Sequence, residues 1–147
     1  MLERIVVGTD GSDTAAEAVR QATELAKATG AKLDIISAYE PVPARQLREE
    51  GGEIPGDVAY AVGPKEDVNV VLESAAGPAR NDGVEVNTQA REGDPADAIL
   101  DVAEEINADL IVVGNKGMTG ARRFLLGSVP NKISHHAPCS VYIARTT

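Results

Sequence analysis

The stretch Leu110-Ile111-Val112-Val113-Gly114-Asn115-Lys116-Gly117 is followed, after the nine residues 118–126, by Gly127-Ser128, and this pattern decides how the chain folds. The apolar run before Gly114 predicts a buried strand, and residues 128–136 have a helical pattern. Glycines let a backbone approach an anion closely, and the free N–H groups at a helix N-terminus point toward it. A strand, a glycine loop and a helix start therefore predict a phosphate-binding site at the end of this strand.

Composition sets the class of protein. A chain of 147 residues fits one domain with a real core, and a hydrophobic content of 43% predicts a folded globule. The formal net charge of −9 argues against nucleic-acid binding and against binding to an anionic membrane surface, since both need basic patches. It does not exclude a nucleotide, because a few N–H groups and cations dominate locally at one site.

Cysteine usage and apolar run lengths indicate the compartment. The single Cys139 cannot form an internal disulfide, which suits a reducing cytoplasm. No apolar run approaches the roughly 20 residues of a membrane helix, and the first residues show no signal peptide. We therefore expect a cytoplasmic protein without a membrane segment.

Strand and helix signals alternate along the chain, which predicts a parallel sheet covered on both faces by helices. Short apolar or alternating runs predict strands, and apolar residues at helical spacing predict helices. The predicted strands are residues 5–7, 33–39, 84–88, 110–113 and 140–144, and the predicted helices are residues 13–29, 64–76, 95–106 and 128–136. No internal repeat or linker interrupts this order.

Capping signals mark the helix ends. Ser12, Asp13 or Thr14 can each cap the first predicted helix, the last as part of a capping box. Gly30 is a helix stop, because glycine tolerates the left-handed conformation that ends many helices. Asp94, directly before a proline, predicts the start of another helix.

Residues 40–63 break the pattern, because prolines and glycines lie among charged residues there. We expect a long, mobile loop, although residues 44–50 could form a short helix. Whether the loop is a functional lid or a disordered insertion stays open. Pro64 then starts a helix, which Gly77-Pro78 should kink or end because proline lacks the N–H of the helical ladder.

Three motifs resemble those of one protein family. The spacing Gly-x2-Gly-x9-Gly-Ser from Gly114 to Ser128 is similar to the nucleotide loop of the ATP-binding branch of the universal stress protein family. Residues 6–12 resemble the family's first strand and its Asp-Gly-Ser turn, and residues 136–141 resemble its usual ending. On these motifs, residues 1–147 are identified as a single universal stress protein domain.

The resemblance implies an α/β fold, a single-domain three-layer sandwich with a five-stranded parallel sheet of order 3-2-1-4-5. Such a sheet is Rossmann-like and binds nucleotides beyond the carboxyl ends of its strands, where the strand order reverses. The reversal falls between the first and fourth strands, whose ends carry Thr9-Asp10 and the Gly114 loop. Spacing and topology thus place the pocket at the same spot.

The resemblance also implies which residues bind the nucleotide. The positions of the phosphate loop are Gly114, Asn115, Gly117, Gly127, Ser128 and Val129. N–H groups of the loop and the Ser128 hydroxyl should hold phosphates. Gly8, Thr9 and Asp10 line the nucleoside end, where the Asp10 carboxylate suits the ribose hydroxyls, and the backbone of Ala38 should pair with the adenine edge.

Simpler interpretations exist for several of these residues. Asp10-Gly11-Ser12 could be only a turn with a helix cap, and Gly114 could merely end a strand. Lys116, Arg122 and Arg123 lie within the loop, where they could neutralise phosphate charge or be solvated surface cations. We also expect Pro130 to remove one N–H that could otherwise contact phosphate.

His135, His136 and Cys139 are the remaining candidates for chemistry. Adjacent histidines on a helix do not form a chelating pair, so we expect a surface helix end. Cys139 suits a small apolar role better than a nucleophile, because no neighbour in sequence obviously lowers its pKa. We therefore assign no catalytic residue and no metal-ligating side chain from the sequence.

The resemblance implies a cytoplasmic stress or signalling regulator that binds an adenine nucleotide and changes its contacts with an unknown protein partner accordingly. ATP is the expected ligand, AMP and cyclic AMP are alternatives, and Mg²⁺ or Mn²⁺ could accompany a triphosphate. Two other functions stay open: a weak ATPase or self-phosphorylating enzyme, and a nucleotide-free interaction module.

The last apolar run, Val141-Tyr142-Ile143-Ala144, suggests how the chain assembles. An edge strand exposes unpaired backbone groups, which a second copy can satisfy. The resemblance implies antiparallel pairing of this strand, so we expect a homodimer. The alternative is an ordinary edge strand, protected by Arg145 and by its twist.

Overall fold

The elements follow one another in strict alternation of strand and helix. The structure, a computed structural model, describes residues 2–39, 57–115 and 126–146, with side chains in the second range described from Asp67 onward. In chain order the elements are β1 (Arg4–Gly8), α1 (Asp13–Thr29), β2 (Lys32–Tyr39), α2 (Asp57–Asn81), β3 (Val86–Glu92), α3 (Pro95–Glu105), β4 (Leu110–Gly114), α4 (Ser128–His136) and β5 (Ser140–Ala144).

The strands form one parallel five-stranded sheet of order β3-β2-β1-β4-β5, which confirms the predicted topology. The register aligns Gly8 with Ile36, and Gly114 with Ala144. The strand order reverses between β1 and β4, and their carboxyl ends lie at the same edge of the sheet. This edge is where a ligand is expected in such a fold.

Two hydrophobic clusters, one on each face of the sheet, make the three layers. Successive strand side chains point to opposite faces, so the apolar runs of β1 and β4 are buried on both sides. Ile5 and Val7 pack with α1 and α2, whereas Val6 packs with α3 and α4. In β4, Leu110 and Val112 belong to the cluster with α1 and α2. Ile111 and Val113 belong to the cluster with α3 and α4.

The helix ends follow the capping signals. The Ser12 hydroxyl accepts a hydrogen bond from the Ala15 N–H at 3.2 Å, so Ser12 is the N-cap of α1 among the three candidates. Gly30 adopts the left-handed conformation at the other end, as predicted. Asp94 caps α3 by accepting from the Asp97 N–H at 3.0 Å, which confirms the predicted start.

Helix α2 differs from its prediction at both ends. It begins at Asp57 rather than Pro64, so residues 57–63 belong to the helix and not to the expected loop, while residues 40–56 lie outside the described part of the chain. It also continues past Gly77-Pro78 to Asn81. Its buried apolar residues on the sheet, which include Leu72, favour the continued helix over the local effect of proline.

Strand β3 is also displaced from its prediction. The alternation at residues 84–88 suggested the strand, yet it spans Val86–Glu92. Each of its residues pairs with one residue of β2, from Leu33–Val86 to Tyr39–Glu92. The backbone partner, rather than side-chain alternation, therefore sets the limits of this polar edge strand.

In the described ranges, no helix combines the length and the apolar character needed to cross a membrane.

Candidate functional site

A narrow crevice lies at the carboxyl ends of β1 and β4. Its volume is about 20 Å³, and it is lined by Gly8, Thr14, Ala15, Val113, Gly114, Val129 and Thr146. Three residues that the sequence analysis assigned to nucleotide binding, Gly8, Gly114 and Val129, therefore meet here. The crevice is the point of the fold where the strand order reverses.

The turn after β1 is held tightly to β2. The buried Thr9 donates its N–H to the Ile36 carbonyl at 2.9 Å, and its own carbonyl accepts from the Ser37 hydroxyl at 2.6 Å. The Thr9 hydroxyl in turn accepts from the Gly11 N–H at 3.1 Å. These bonds position the turn, and the Thr9 hydroxyl, which accepts from Gly11, keeps its own proton to donate.

Asp10 is exposed in this turn. Its Oδ1 accepts from the Ser12 N–H at 2.9 Å. Asp10 therefore does form a turn before the helix cap, as the simpler interpretation has it. A carboxylate has about four acceptor sites, and one bond to Oδ1 leaves the group able to accept from a hydroxyl of a ligand.

The N-terminus of α4 is built differently from those of α1 and α3. Its N-cap is Gly127, which supplies no side-chain cap. The Gly127 N–H donates to the Asn115 carbonyl at 3.0 Å, and Pro130 in the first turn has no N–H. The backbone donors without an intrahelical acceptor are therefore those of Ser128 and Val129. Gly127 was expected to hold phosphate together with Gly117, Ser128 and Val129, but its N–H is bonded to Asn115 in this structure.

Asn115 joins three segments at the crevice. Its N–H donates to the Ala144 carbonyl at 2.9 Å, and its side-chain Oδ1 accepts from both the N–H and the hydroxyl of Thr146. Its carbonyl accepts from Gly127. The sequence analysis did not place Thr14 or Thr146 near the site. Thr146 could have been placed there only from the parallel register of β4 with β5, which cannot be read from the sequence.

Ala38 presents its backbone on the side of β1. The Ile36 carbonyl accepts from Thr9 on that side, and the Tyr39 carbonyl accepts from Gly93 on the side of β3. Because peptide groups along a strand alternate between its two neighbours, those of Ala38 point to the side of β1. The last pair with β1 is Gly8–Ile36, so Ala38 lies beyond the end of β1. This direction fits a backbone contact with a flat ligand edge.

Four residues of the predicted site, Lys116, Gly117, Arg122 and Arg123, lie outside the described residues. In the described part of the chain, no group of three His, Cys, Asp or Glu side chains is arranged to hold a metal ion. His135 and His136 are exposed at the end of α4. Burial, followed by the charge of Asp109, raises the pKa of the half-buried Cys139 thiol, which disfavours a reactive thiolate.

Comparison with known proteins decides the family, because the model of the universal stress protein family matches residues 1–145. The chain belongs to the universal stress protein family. The universal stress protein Rv1636 of Mycobacterium tuberculosis is 40% identical over 145 residues, which cover 97% of this chain and 96% of that protein. The resemblance of the three sequence motifs is thereby confirmed.

Two universal stress proteins of solved structure share the fold and are described with a nucleotide. One, in complex with cAMP, is 33% identical with a TM-score of 0.73, and the match covers 99% of this chain and 98% of that one. The other, from Archaeoglobus fulgidus in complex with dAMP, is 26% identical with a TM-score of 0.64, and covers 97% and 98% of the two chains.

Proposed function

We propose that this universal stress protein binds an adenine nucleotide at the crevice between β1 and β4. One observation supports this most strongly: the N-terminus of α4, with a glycine N-cap and no side-chain cap, lies at the point where the strand order reverses. The side chains of Ser12 and Asp94 cap the corresponding ends of α1 and α3. An uncapped helix start is suited to an anion, because its N–H groups and its dipole favour negative charge.

The described residues suggest a role for each part of the nucleotide. The N–H groups of Ser128 and Val129 and the Ser128 hydroxyl would bind a phosphate. The Asp10 carboxylate would accept from the ribose hydroxyls, and the backbone of Ala38 would pair with the adenine edge. Gly8 and Gly114 line the crevice without side chains, so their backbones could approach the ligand closely.

The loop residues outside the described part of the chain are proposed from the sequence. Gly117 would add a backbone contact to phosphate, and at least one of Lys116, Arg122 and Arg123 would offset phosphate charge on a chain of net charge −9. For a triphosphate, Mg²⁺ or Mn²⁺ would be held mostly by phosphate oxygens and water.

The ligand class is an adenine nucleotide, with ATP, AMP and cyclic AMP as the three candidates. Relatives described with cAMP and dAMP support a monophosphate. The two backbone donors of α4 also match a single phosphate group better than a chain of three, because Gly127 and Pro130 contribute none. ATP would need the additional contacts of residues 116–125.

The biological role would be that of a cytoplasmic stress regulator whose nucleotide occupancy changes its binding to a protein partner. A homodimer through the exposed edge of β5 would provide such a surface. Tyr142 and Ile143 on this strand are 39% and 41% exposed, which is high for large apolar side chains. The family and the position of β5 at the edge of the sheet support this assembly.

Calorimetric titration tests the proposal. ATP, AMP and cyclic AMP, each with and without Mg²⁺, are titrated into the wild type, Ser128→Ala and Asp10→Asn. We expect one ligand to bind and each substitution to weaken it by about tenfold, because each removes a polar contact to the ligand. The matched controls are Ser134→Ala on the same helix and Asp13→Asn on α1, both exposed and expected to bind as the wild type.

Three results would contradict the proposal. A folded wild type that binds none of the ligands would favour a nucleotide-free interaction module. Binding that is unaffected at Ser128 and Asp10 would place the nucleotide elsewhere. Steady release of phosphate from ATP at ordinary enzyme rates would show a catalyst rather than a regulator.

A further inference from the structure

Thr146 lines the crevice between β1 and β4 and lies beside Gly114. A Cβ built on Gly114 would lie 3.2 Å from Thr146 Cγ2 and 3.8 Å from Thr146 Oγ1. The space left between Gly114, Thr14 and Val129 is about 20 Å³. Such a space accommodates about one water molecule and is too small for a phosphate group. A phosphate can reach the N-terminus of α4 from this side only if the crevice opens.

Asn115 holds Thr146 in this position. Its side-chain Oδ1 accepts from the Thr146 N–H at 2.9 Å and from the Thr146 hydroxyl at 2.8 Å. The two bonds hold the residue at both its backbone and its side chain. Because Thr146 lies outside any helix or strand, these two bonds position it.

The backbone of Asn115 connects this anchor to the proposed phosphate site. Its carbonyl accepts from the Gly127 N–H, directly before the two donors of α4, and its N–H donates to the Ala144 carbonyl at the end of β5. Asn115 is therefore bonded to Thr146, to the start of α4 and to the end of β5.

We propose that Thr146 is a plug that competes with the phosphate of the nucleotide, and that binding of the nucleotide releases it from Asn115. This inference rests on the proposed function. The phosphate needs the space beside Gly114 and Val129 that Thr146 encloses, so both cannot occupy the crevice. The affinity of the protein for the nucleotide is then lowered by the free energy of the plug contacts.

The plug also connects nucleotide occupancy to the edge of the sheet. Thr146 follows β5 with one intervening residue, and Ala144 pairs with Gly114 in the register of β4 and β5. Release of Thr146 would remove the two side-chain bonds directly after the strand that presents Tyr142 and Ile143, while the bond from Asn115 to Ala144 remains. The nucleotide would thereby alter the surface offered to a second copy or to a partner.

Calorimetry on two substitutions tests the plug, with ATP, AMP and cyclic AMP as probes. Thr146→Pro removes both the N–H and the hydroxyl, and we expect it to bind the nucleotide about tenfold more tightly than the wild type. Thr146→Val removes only the hydroxyl and keeps the shape of the side chain. We therefore expect this variant to bind the nucleotide about threefold more tightly than the wild type. The control Thr29→Val removes a hydroxyl that donates to the Leu25 carbonyl at 2.7 Å, far from the crevice, and should leave the affinity unchanged.

Amide hydrogen exchange of the wild type adds a measurement that needs no substitution. In the free protein the Thr146 N–H is bonded to Asn115 and should be protected. A saturating nucleotide should speed its exchange, because the bond is broken on release. Slower or unchanged exchange of this amide in the complex would overturn the plug.

The outcomes separate the plug from the proposed function. If a nucleotide binds with equal affinity to the wild type and to Thr146→Pro, the plug is wrong and the proposed function stands. Weaker binding by Thr146→Pro also overturns it, since Thr146 would then belong to the binding surface. If no folded variant binds any of the three nucleotides, both proposals fail.

Discussion

The Gly127 N–H donates to the Asn115 carbonyl at 3.0 Å, so the two ends of the glycine loop are joined directly. The end of β4 and the start of α4 are therefore fixed relative to each other by a backbone bond. This bond places the donors of Ser128 and Val129 beside Gly114, whatever side chains occupy the loop between them.

Gly114 should tolerate no side chain without loss of nucleotide binding. A Cβ at this position would lie 3.8 Å from the Thr14 carbonyl, in the space that the nucleotide would occupy once Thr146 is released. We expect Gly114→Ala to weaken nucleotide binding at least about tenfold, measured by calorimetry. Gly77→Ala is the matched control, because a Cβ there meets nothing within 4 Å. Equal binding by the two variants would contradict a ligand in the crevice.

Gly11 should matter for stability. Its φ of +83° is unfavourable for a residue with a side chain, and a Cβ would lie 3.1 Å from Val71 Cγ2 of α2. We expect Gly11→Ala to lower the free energy of unfolding by about 2 kcal/mol in urea titrations. Gly77→Ala, near the C-terminal end of α2, should instead be neutral or stabilising by up to about 1 kcal/mol. An unchanged stability of Gly11→Ala would show that the turn can shift away from α2.

The ion pair between Arg4 and Asp34 should respond unequally to loss of each partner. Arg4 Nη2 lies 3.4 Å from Asp34 Oδ2, and the two side chains are 34% and 1% exposed. Arg4→Met would leave a carboxylate buried without its cation, and we expect a loss of about 3 kcal/mol. Asp34→Asn would leave a cation that reaches water, and we expect the free energy of unfolding to fall by only about 1 kcal/mol. Urea titration measures both, and the reverse order would contradict this account of the pair.

Asp109 should contribute to the fall in stability at acid pH. Its Oδ2 accepts from the N–H groups of Glu3 and Arg4 at 2.8 and 3.0 Å, and these bonds lower its pKa. A lowered pKa in the folded state gives stability that is present above the unfolded value of about 4. That stability is lost as the pH falls through the folded value.

Melting temperatures of Asp109→Asn across pH check this effect. The variant should be less stable than the wild type at neutral pH, and the difference should shrink below about pH 4. Asp101→Asn, at an exposed position on α3, serves as the control. A difference that stays constant from neutral to acid pH would show that the carboxylate charge is not the cause.

The edge of β5 should carry the dimer contact. A lysine on an exposed edge strand disfavours pairing with another strand, so we expect Ile143→Lys to be a monomer where the wild type is a dimer. Val70→Lys is the control, since Val70 is a 66% exposed apolar residue on α2. Light scattering after gel filtration measures the mass. Dissociation by Val70→Lys but not by Ile143→Lys would place the interface on α2.

Several strands and helix ends could be predicted from the sequence for identifiable reasons, whereas the sheet order was implied by the family resemblance. The apolar run Leu110–Gly114 and the capping residues Ser12, Gly30 and Asp94 act locally, so their patterns predict their structures. The limits of β3 depend on pairing with β2, which local patterns do not contain. The start of α2 was missed because no capping signal marks Asp57.

The anchor of Thr146 on Asn115 could not be predicted either. The two residues are distant in sequence and meet only because β4 and β5 are parallel neighbours in one register. The same register brings Asn115 to Ala144. Contacts of this kind follow from the assembled sheet, and a local sequence motif does not contain them.

Backbone amide NMR during a titration with AMP and with ATP would test the central claim most directly. The account predicts that a saturating nucleotide shifts the amide signals of Ser128 and Val129 most strongly, together with those of the turn at Asp10. Signals at the far end of α1, such as Lys27, should stay unchanged. Saturable shifts confined to residues away from the crevice, or no shift with either nucleotide, would contradict the claim that this protein binds a nucleotide there.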